Sequence, residues 1–258
     1  MNKYNTGFKI VGSAYEDSII LLKALNEYQS WDKVKDITYE ENLLKKKSSK
    51  WIKKLLQYFQ MRYIYDHKPL PDSKYLSRYI FIEKSRPSRV QVLFQYICET
   101  HTFIDRLITG LVGENILKYG VFRLTKSVFM DFVKNEAAIH PEIDEWSNIT
   151  VSSFYRAFFA FLRSSGLMEK PPSVTVRKFV MQPESFAFFL YGLLDERFTP
   201  SEIFTSHLWA RYLLSPWEIE KLLSECQVKG WLQFRSFGDI YELIPKFDSL
   251  GGWIDALE

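Results

Sequence analysis

Six lysines crowd into ten residues of this 258-residue chain: Lys45, Lys46, Lys47, Lys50, Lys53 and Lys54, with Ser48 and Ser49 between them. No residue from Lys45 to Tyr65 is acidic, and Arg62 adds a further cation. Lys50, Lys53, Lys54 and Gln57 stand at offsets 0, 3, 4 and 7, so on a helix they share one face. Trp51, Ile52, Leu55, Leu56, Phe59 and Tyr63 form the opposite, apolar stripe. Ser48 or Ser49 is the expected N-cap. A helix N-terminus offers unpaired N–H groups, and flanking ammonium groups make it suited to phosphate. The run is long and mostly of one sign: residues 45–91 hold thirteen basic and three acidic side chains, a net of +10. That pattern points to a polyanion, nucleic acid first among them, against the plainer reading of a solvated helix face.

A second cluster lies further along. Val151, Phe154, Phe158, Phe161 and Leu162 mark the buried side of a helix from about Asn148 to Ser164. Ser152, Ser153 and Arg156 fall off that stripe. In a helix-turn-helix the second helix lays its N-terminal residues in the major groove. On that pattern Thr150, Ser152, Ser153 and Arg156 would meet DNA, with Lys126, Arg177 and Lys178 reaching phosphates. The competing reading is a mostly internal helix, given Tyr155, Phe158 and Phe159.

Enzyme signatures are missing from the sequence. His67, His101, His140 and His207 have no metal-ligand spacing to one another or to Cys98 and Cys226. There is no phosphate-binding loop of the G-x-x-x-x-G-K-[ST] type, no G-x-G-x-x-G and no G-x-S-x-G elbow. The expectation is a non-enzyme with no cofactor, no metal and no small-molecule substrate. The two cysteines read as buried hydrophobes in a reducing compartment. The longest strongly apolar stretch, Phe186–Leu194, is far short of the ~20 residues a spanning helix needs. With no signal peptide in the N-terminal stretch, the chain is expected to be cytoplasmic and free of the membrane.

The elements that must position these clusters are mostly helical. Helices are predicted at about 13–28, from Ser48, and from Ser88 to about Ile108. Thr38 and Glu41 have capping-box spacing ahead of Leu43 and Leu44. Helices near 125–135 and 148–164, the latter ending at Gly166, precede two short extended segments, 167–170 and 174–182, around Pro171-Pro172. Helix, helix and hairpin is the order of a winged-helix module. The order recurs: capping signatures at Thr199–Glu202 and Ser215–Glu218 lead to a helix and to a hairpin at Trp231–Ser236 and Ile240–Ile244. The predicted fold is mainly α, with a helical domain at 1–115 and winged-helix-like modules carrying short β-hairpins at 116–182 and 183–258. Residues 182–258 hold twelve acidic and six basic side chains, which suits a protein partner better than a phosphate backbone.

Several stretches carry a family resemblance. They are Trp31-Asp32-Lys33-Val34-Lys35, Glu41-Asn42-Leu43-Leu44, Lys47-Ser48-Ser49 leading to Arg62-Tyr63, the run from Ile143 to Thr150, and Ser164-Ser165-Gly166-Leu167. Together they resemble the BrxA family of bacterial phage-exclusion (BREX) defence systems. The resemblance implies a largely helical, non-enzymatic protein that binds double-stranded DNA. It also implies the company of other BREX components: a methyltransferase, an ATPase and a phosphatase-like protein. On this reading Lys45, Lys46, Lys47, Ser48, Ser49, Lys50, Lys53, Lys54, Ser152, Ser153 and Arg156 are the expected DNA-binding residues. The alternatives are a protein-interaction scaffold within the defence complex and an RNA-binding protein.

Overall fold

A computed structural model describes residues 3–238 and 240–258. The chain begins with α1 (Phe8–Val11), α2 (Tyr15–Tyr28), α3 (Trp31–Glu40), α4 (Ser49–Phe59), α5 (Ser73–Ile82), α6 (Arg86–Thr100) and α7 (Thr102–Arg106). α4 and α7 each continue into a wider π-helical segment, Gln60–Ile64 and Leu107–Glu114. Next come α8 (Asn115–Tyr119), β1 (Val121–Arg123), α9 (Lys126–Ala137), α10 (Asn148–Ser165) and β2 (Thr175–Arg177). The chain closes with α11 (Pro183–Asp195), α12 (Pro200–Phe204), α13 (Leu208–Arg211), α14 (Pro216–Val228), β3 (Leu232–Phe237), β4 (Ile240–Pro245) and α15 (Leu250–Asp255). The fold is mainly α, with two small antiparallel sheets among the described residues, β1–β2 and β3–β4.

Two helices form the centre. In α6 every residue from Val90 to Cys98 is buried, and in α11 every residue from Ser185 to Leu193 is buried. A helix buried on all sides has to be enclosed by other elements, and these two pack against each other with the remaining helices around them. The apolar stretch at Phe186–Leu194 is therefore core. Among the described residues no helix is long and apolar enough to cross a membrane. Buried residues from Phe8 to Ile254 form one continuous cluster. Phe94 of α6 shows how it is knitted: its ring stacks on Phe161 of α10 at 5.3 Å and meets Phe179 edge-on at 5.0 Å.

Several sequence expectations hold. Ser48 is the N-cap of α4, its Oγ accepting from the Trp51 N–H at 3.2 Å. Thr199 and Ser215 both form capping boxes, with Glu202 and Glu218. α10 ends at Gly166 in a left-handed conformation, φ +87°, which L side chains rarely adopt. The hairpin β3–β4 forms as expected, although Asp239 of its turn lies outside the described residues, as do Met1 and Asn2.

Other expectations need correction. Thr38 starts no helix. It is buried inside α3, its hydroxyl donates to the Val34 carbonyl at 2.6 Å, and residues 42–48 are a loop. The long helix expected from Ser88 breaks at His101 and then widens into the π segment. Segment 174–182 contributes β2, but the main partner of β2 is β1, with Val121 opposite Arg177, Phe122 opposite Val176 and Arg123 opposite Thr175. From the other expected strand only Met168 bridges to Val176. Short, single strands such as β1 carry too little alternation to be read locally.

Candidate nucleic-acid interface

The lysine run divides into a turn and a helix. In the turn, Asn42 and Lys45 both have positive φ, +50° and +51°. The Asn42 side chain accepts the Lys46 N–H at 2.9 Å, and Leu44 anchors the turn in the core. This geometry sends Lys45 and Lys47 outward and turns Lys46 back. The Lys46 ammonium sits 3.0 Å from the Asp17 carboxylate and 5.0 Å from the centre of the Trp51 ring. Lys46 thus holds the turn onto α2 and α4, and its charge is already met. On α4, the apolar face formed by Ile52, Leu55, Leu56 and Phe59 is buried. Lys50, Lys53, Lys54 and Gln57 are exposed on the other face, as their spacing required, and Ser48 and Ser49 are exposed at its start. Among the described residues no carboxylate pairs with Lys45, Lys47, Lys50, Lys53 or Lys54.

The wider basic stretch is less positive in three dimensions than along the chain. Arg62 is buried, 1% exposed, in the π segment. Lys68 pairs with Glu196, Arg78 with Asp255, and Arg86 with Glu16 at 2.8 Å. Carboxylates from α2 and from the acidic C-terminal region fold back onto this stretch. Among the described residues, and apart from the buried Arg62, the cations of this stretch left without an ion pair are Lys45, Lys47, Lys50, Lys53 and Lys54 in the turn and on α4, and Lys74, Lys84 and Arg89 beyond them.

Arg62 has an unusual setting. Its Nε and Nη2 lie 3.0 and 2.9 Å from Nε2 of His101, and Nη1 donates to the Ser13 carbonyl at 3.4 Å. The guanidinium carbon lies 5.6 Å from the ring centres of Phe8 and Tyr58. No carboxylate pairs with it among the described residues. Burial and the Arg62 charge push the His101 pKa from its usual ~6.5 down to about 2. His101 is therefore neutral and can accept the guanidinium N–H.

The second cluster sits on α10, capped by Ser147. Arg156 is exposed and its Nη2 donates to Ser153 Oγ at 3.3 Å, while Ser152 is half-buried. Further along, Arg163 Nη2 donates to the Ser173 carbonyl at 3.2 Å, tying α10 to the loop before β2. Asp144 and Glu145 are exposed in the loop before α10, so the positive strip of this helix starts at Arg156.

The link between the two clusters is α1, which packs against both α4 and α10. Phe8 of α1 meets Phe154 and Phe161 of α10, and Lys9 donates to Thr150 Oγ1 at 3.1 Å. A Cβ placed on Gly7 would lie 2.6 Å from the Tyr58 hydroxyl at the far end of α4. Tertiary packing therefore sets the lysine face of α4, Lys9 of α1 and Arg156 of α10 on neighbouring elements. Lys9 escapes a sequence reading because α1 is only four residues long.

The strand pairing adds another cation that sequence reading missed. In the β1–β2 register, residues opposite one another share a face, so Arg123 and Arg177 stand on the same outward side. Both are exposed, and Arg177 pairs with Glu169 at 2.7 Å. Lys126 is exposed at the start of α9, whereas Lys178 is tied to Glu218 of α14.

A crystal structure of an uncharacterized protein from Magnetospirillum magneticum superposes with a TM-score of 0.62, covering 82% of this chain and 98% of that one at 13% identity. At that identity the likeness shows a shared fold and nothing more. A search of curated proteins finds no match. The family model that matches is BrxA, over residues 2–190, and it takes in the lysine turn, α4, α10 and the β1–β2 sheet. The chain belongs to the BrxA family, and with it to the proteins of BREX phage defence.

Proposed function

We propose that this protein is a cytoplasmic, non-enzymatic accessory of BREX defence that binds double-stranded DNA, mainly by neutralising phosphates. The observation that carries the reading is the unneutralised charge of Lys45, Lys47, Lys50, Lys53 and Lys54, with Lys9 and Arg156 on the elements packed next to it. Phosphate recognition positions a protein on DNA without reading bases, so sequence preference is weak and salt dependence steep. The order α8, β1, α9, α10, β2 supports a winged-helix reading of this region, in which α10 is the second helix and the loop before β2 the wing.

Electrophoretic shifts of duplex DNA across a salt series test this. Retardation at low salt that weakens steeply with added salt is expected, and absence of retardation at low salt overturns the reading. Changing Lys50, Lys53 and Lys54 together to Glu is expected to weaken binding to every sequence alike. The log–log salt slope should become shallower by ~0.9 for each phosphate that the variant no longer neutralises.

A second reading, docking onto another defence protein, draws on the C-terminal region. Trp217 at the start of α14 is 68% exposed and Val180 is 81% exposed, and both line one groove. Co-purification with a BREX component that survives nuclease treatment is the outcome expected of that reading.

A further inference from the structure

At its C-terminal end, α4 carries a shallow groove lined by Lys54, Gln57, Tyr58 and Met61. Tyr58 is fixed from behind. The His101 ring lies near-parallel to it at 6.0 Å, the Arg62 guanidinium is 5.6 Å from its ring centre, and Gly7 abuts its hydroxyl. The groove thus combines a fixed aromatic ring, an adaptable thioether, an amide with both donor and acceptor, and an unpaired ammonium. Flat heteroaromatic bases stack on such rings, and their edges suit an amide. Lys50 and Lys53 continue the ammonium row along the same helix face, where a sugar–phosphate chain could run. Arg62 adds to this from below. A buried guanidinium whose partners are a neutral imidazole, a carbonyl, the Tyr63 side chain and two aromatic rings keeps a positive charge that no carboxylate offsets among the described residues. In a low-dielectric interior that charge is felt at the groove floor, and it favours an anionic ligand. Bases inside a duplex are already stacked and cannot offer a face to Tyr58.

We propose that this groove takes an unpaired DNA base, so that the protein prefers duplex DNA containing a single-stranded gap over fully paired duplex. The proposal rests on the nucleic-acid reading above and names the form of DNA that the α4 site selects.

Fluorescence anisotropy on the full chain tests it, with a labelled duplex and the same duplex carrying a short gap. The gapped probe is expected to bind about tenfold more tightly, in keeping with stacking of one base. A 2-aminopurine placed in the gap should lose fluorescence on binding as it stacks. Tyr58→Ala is expected to abolish the preference and Tyr58→Phe to keep it. Gln57→Ala, at an exposed position that does not endanger folding, should reduce it. Equal affinity for the two probes overturns the proposal, as does a preference untouched by both Tyr58→Ala and Gln57→Ala. Failure to bind either probe at low salt overturns the nucleic-acid reading itself.

Discussion

Arg62 and His101 show how much one side chain's setting can change its meaning. Along the chain Arg62 extends a run of cations, but the tertiary structure buries it and gives it a neutral imidazole as acceptor. The arrangement works only while His101 stays unprotonated. Its folded pKa of about 2 lies below the unfolded value of ~6.5, so between these values the unfolded chain binds the extra proton. This contribution to stability is present above pH ~6.5 and is lost as pH falls towards the folded value. The loss is ~1.4 kcal/mol per pH unit, or ~2 kcal/mol between pH ~6.5 and pH ~5. Urea unfolding at neutral pH and at pH ~5 should show this drop, and His101→Gln, which keeps an acceptor, should lose less over the same interval. An equal drop in both proteins would remove His101 as the cause.

Individual elements differ in how local their signals are. α4 is legible in sequence because a serine cap precedes an apolar stripe of helical spacing, Ile52, Leu55, Leu56 and Phe59, and α10 because its stripe, Val151, Phe154, Phe158 and Phe161, runs to a terminating glycine. β1 is three residues long and is held by a partner more than fifty positions away, so nothing local marks it. The same applies to α1, whose four residues are helical because Phe8 is gripped by α10 and by Arg62. Gly166 belongs to the legible class. It ends α10 with φ +87°, and the Leu167 N–H returns to the Leu162 carbonyl at 2.9 Å. A side chain there would touch nothing within 4 Å, so Gly166→Ala is charged only with the backbone penalty. The expected loss is about 1 kcal/mol, read as a lower denaturant midpoint with an unchanged m-value. A change of the m-value instead would mean that the loop leading to β2 had come loose.

On the scale of the whole molecule, charge and packing are redistributed by folding. The net charge of +3 hides a basic N-terminal half and an acidic C-terminal end. Folding then lets part of the acidic end neutralise the basic half through the pairs Arg78 with Asp255 and Lys68 with Glu196. One further tie spans the chain. Arg211 of α13 donates to Asp105 of α7 and to Glu99 of α6, both at 2.7 Å, with its own side chain 7% exposed. Removing it strands two carboxylates that still see some solvent. Arg211→Ala is therefore expected to cost about 2–3 kcal/mol, at the lower end for a buried pair. Thermal unfolding should show the loss as one cooperative transition, because residues from Phe8 to Ile254 share a core. Two separate transitions would show that the C-terminal region unfolds independently.

The sequence by itself determined the helical class, the N-caps of α4, α12 and α14, the end of α10 at Gly166, the β3–β4 hairpin and the outward face of Lys50, Lys53 and Lys54. Each of these rests on interactions within a few residues, where spacing alone dictates which side chains meet. Only the tertiary structure decided which cations remain unpaired. It buried Arg62, paired Lys46, Lys68, Arg78 and Lys178 with carboxylates, and brought in Lys9 on α1 and Arg123 on β1, cations that no sequence pattern had singled out. Ion pairing and burial join residues up to about two hundred positions apart, as Arg78 and Asp255 do, and no local pattern of residue types encodes such a meeting.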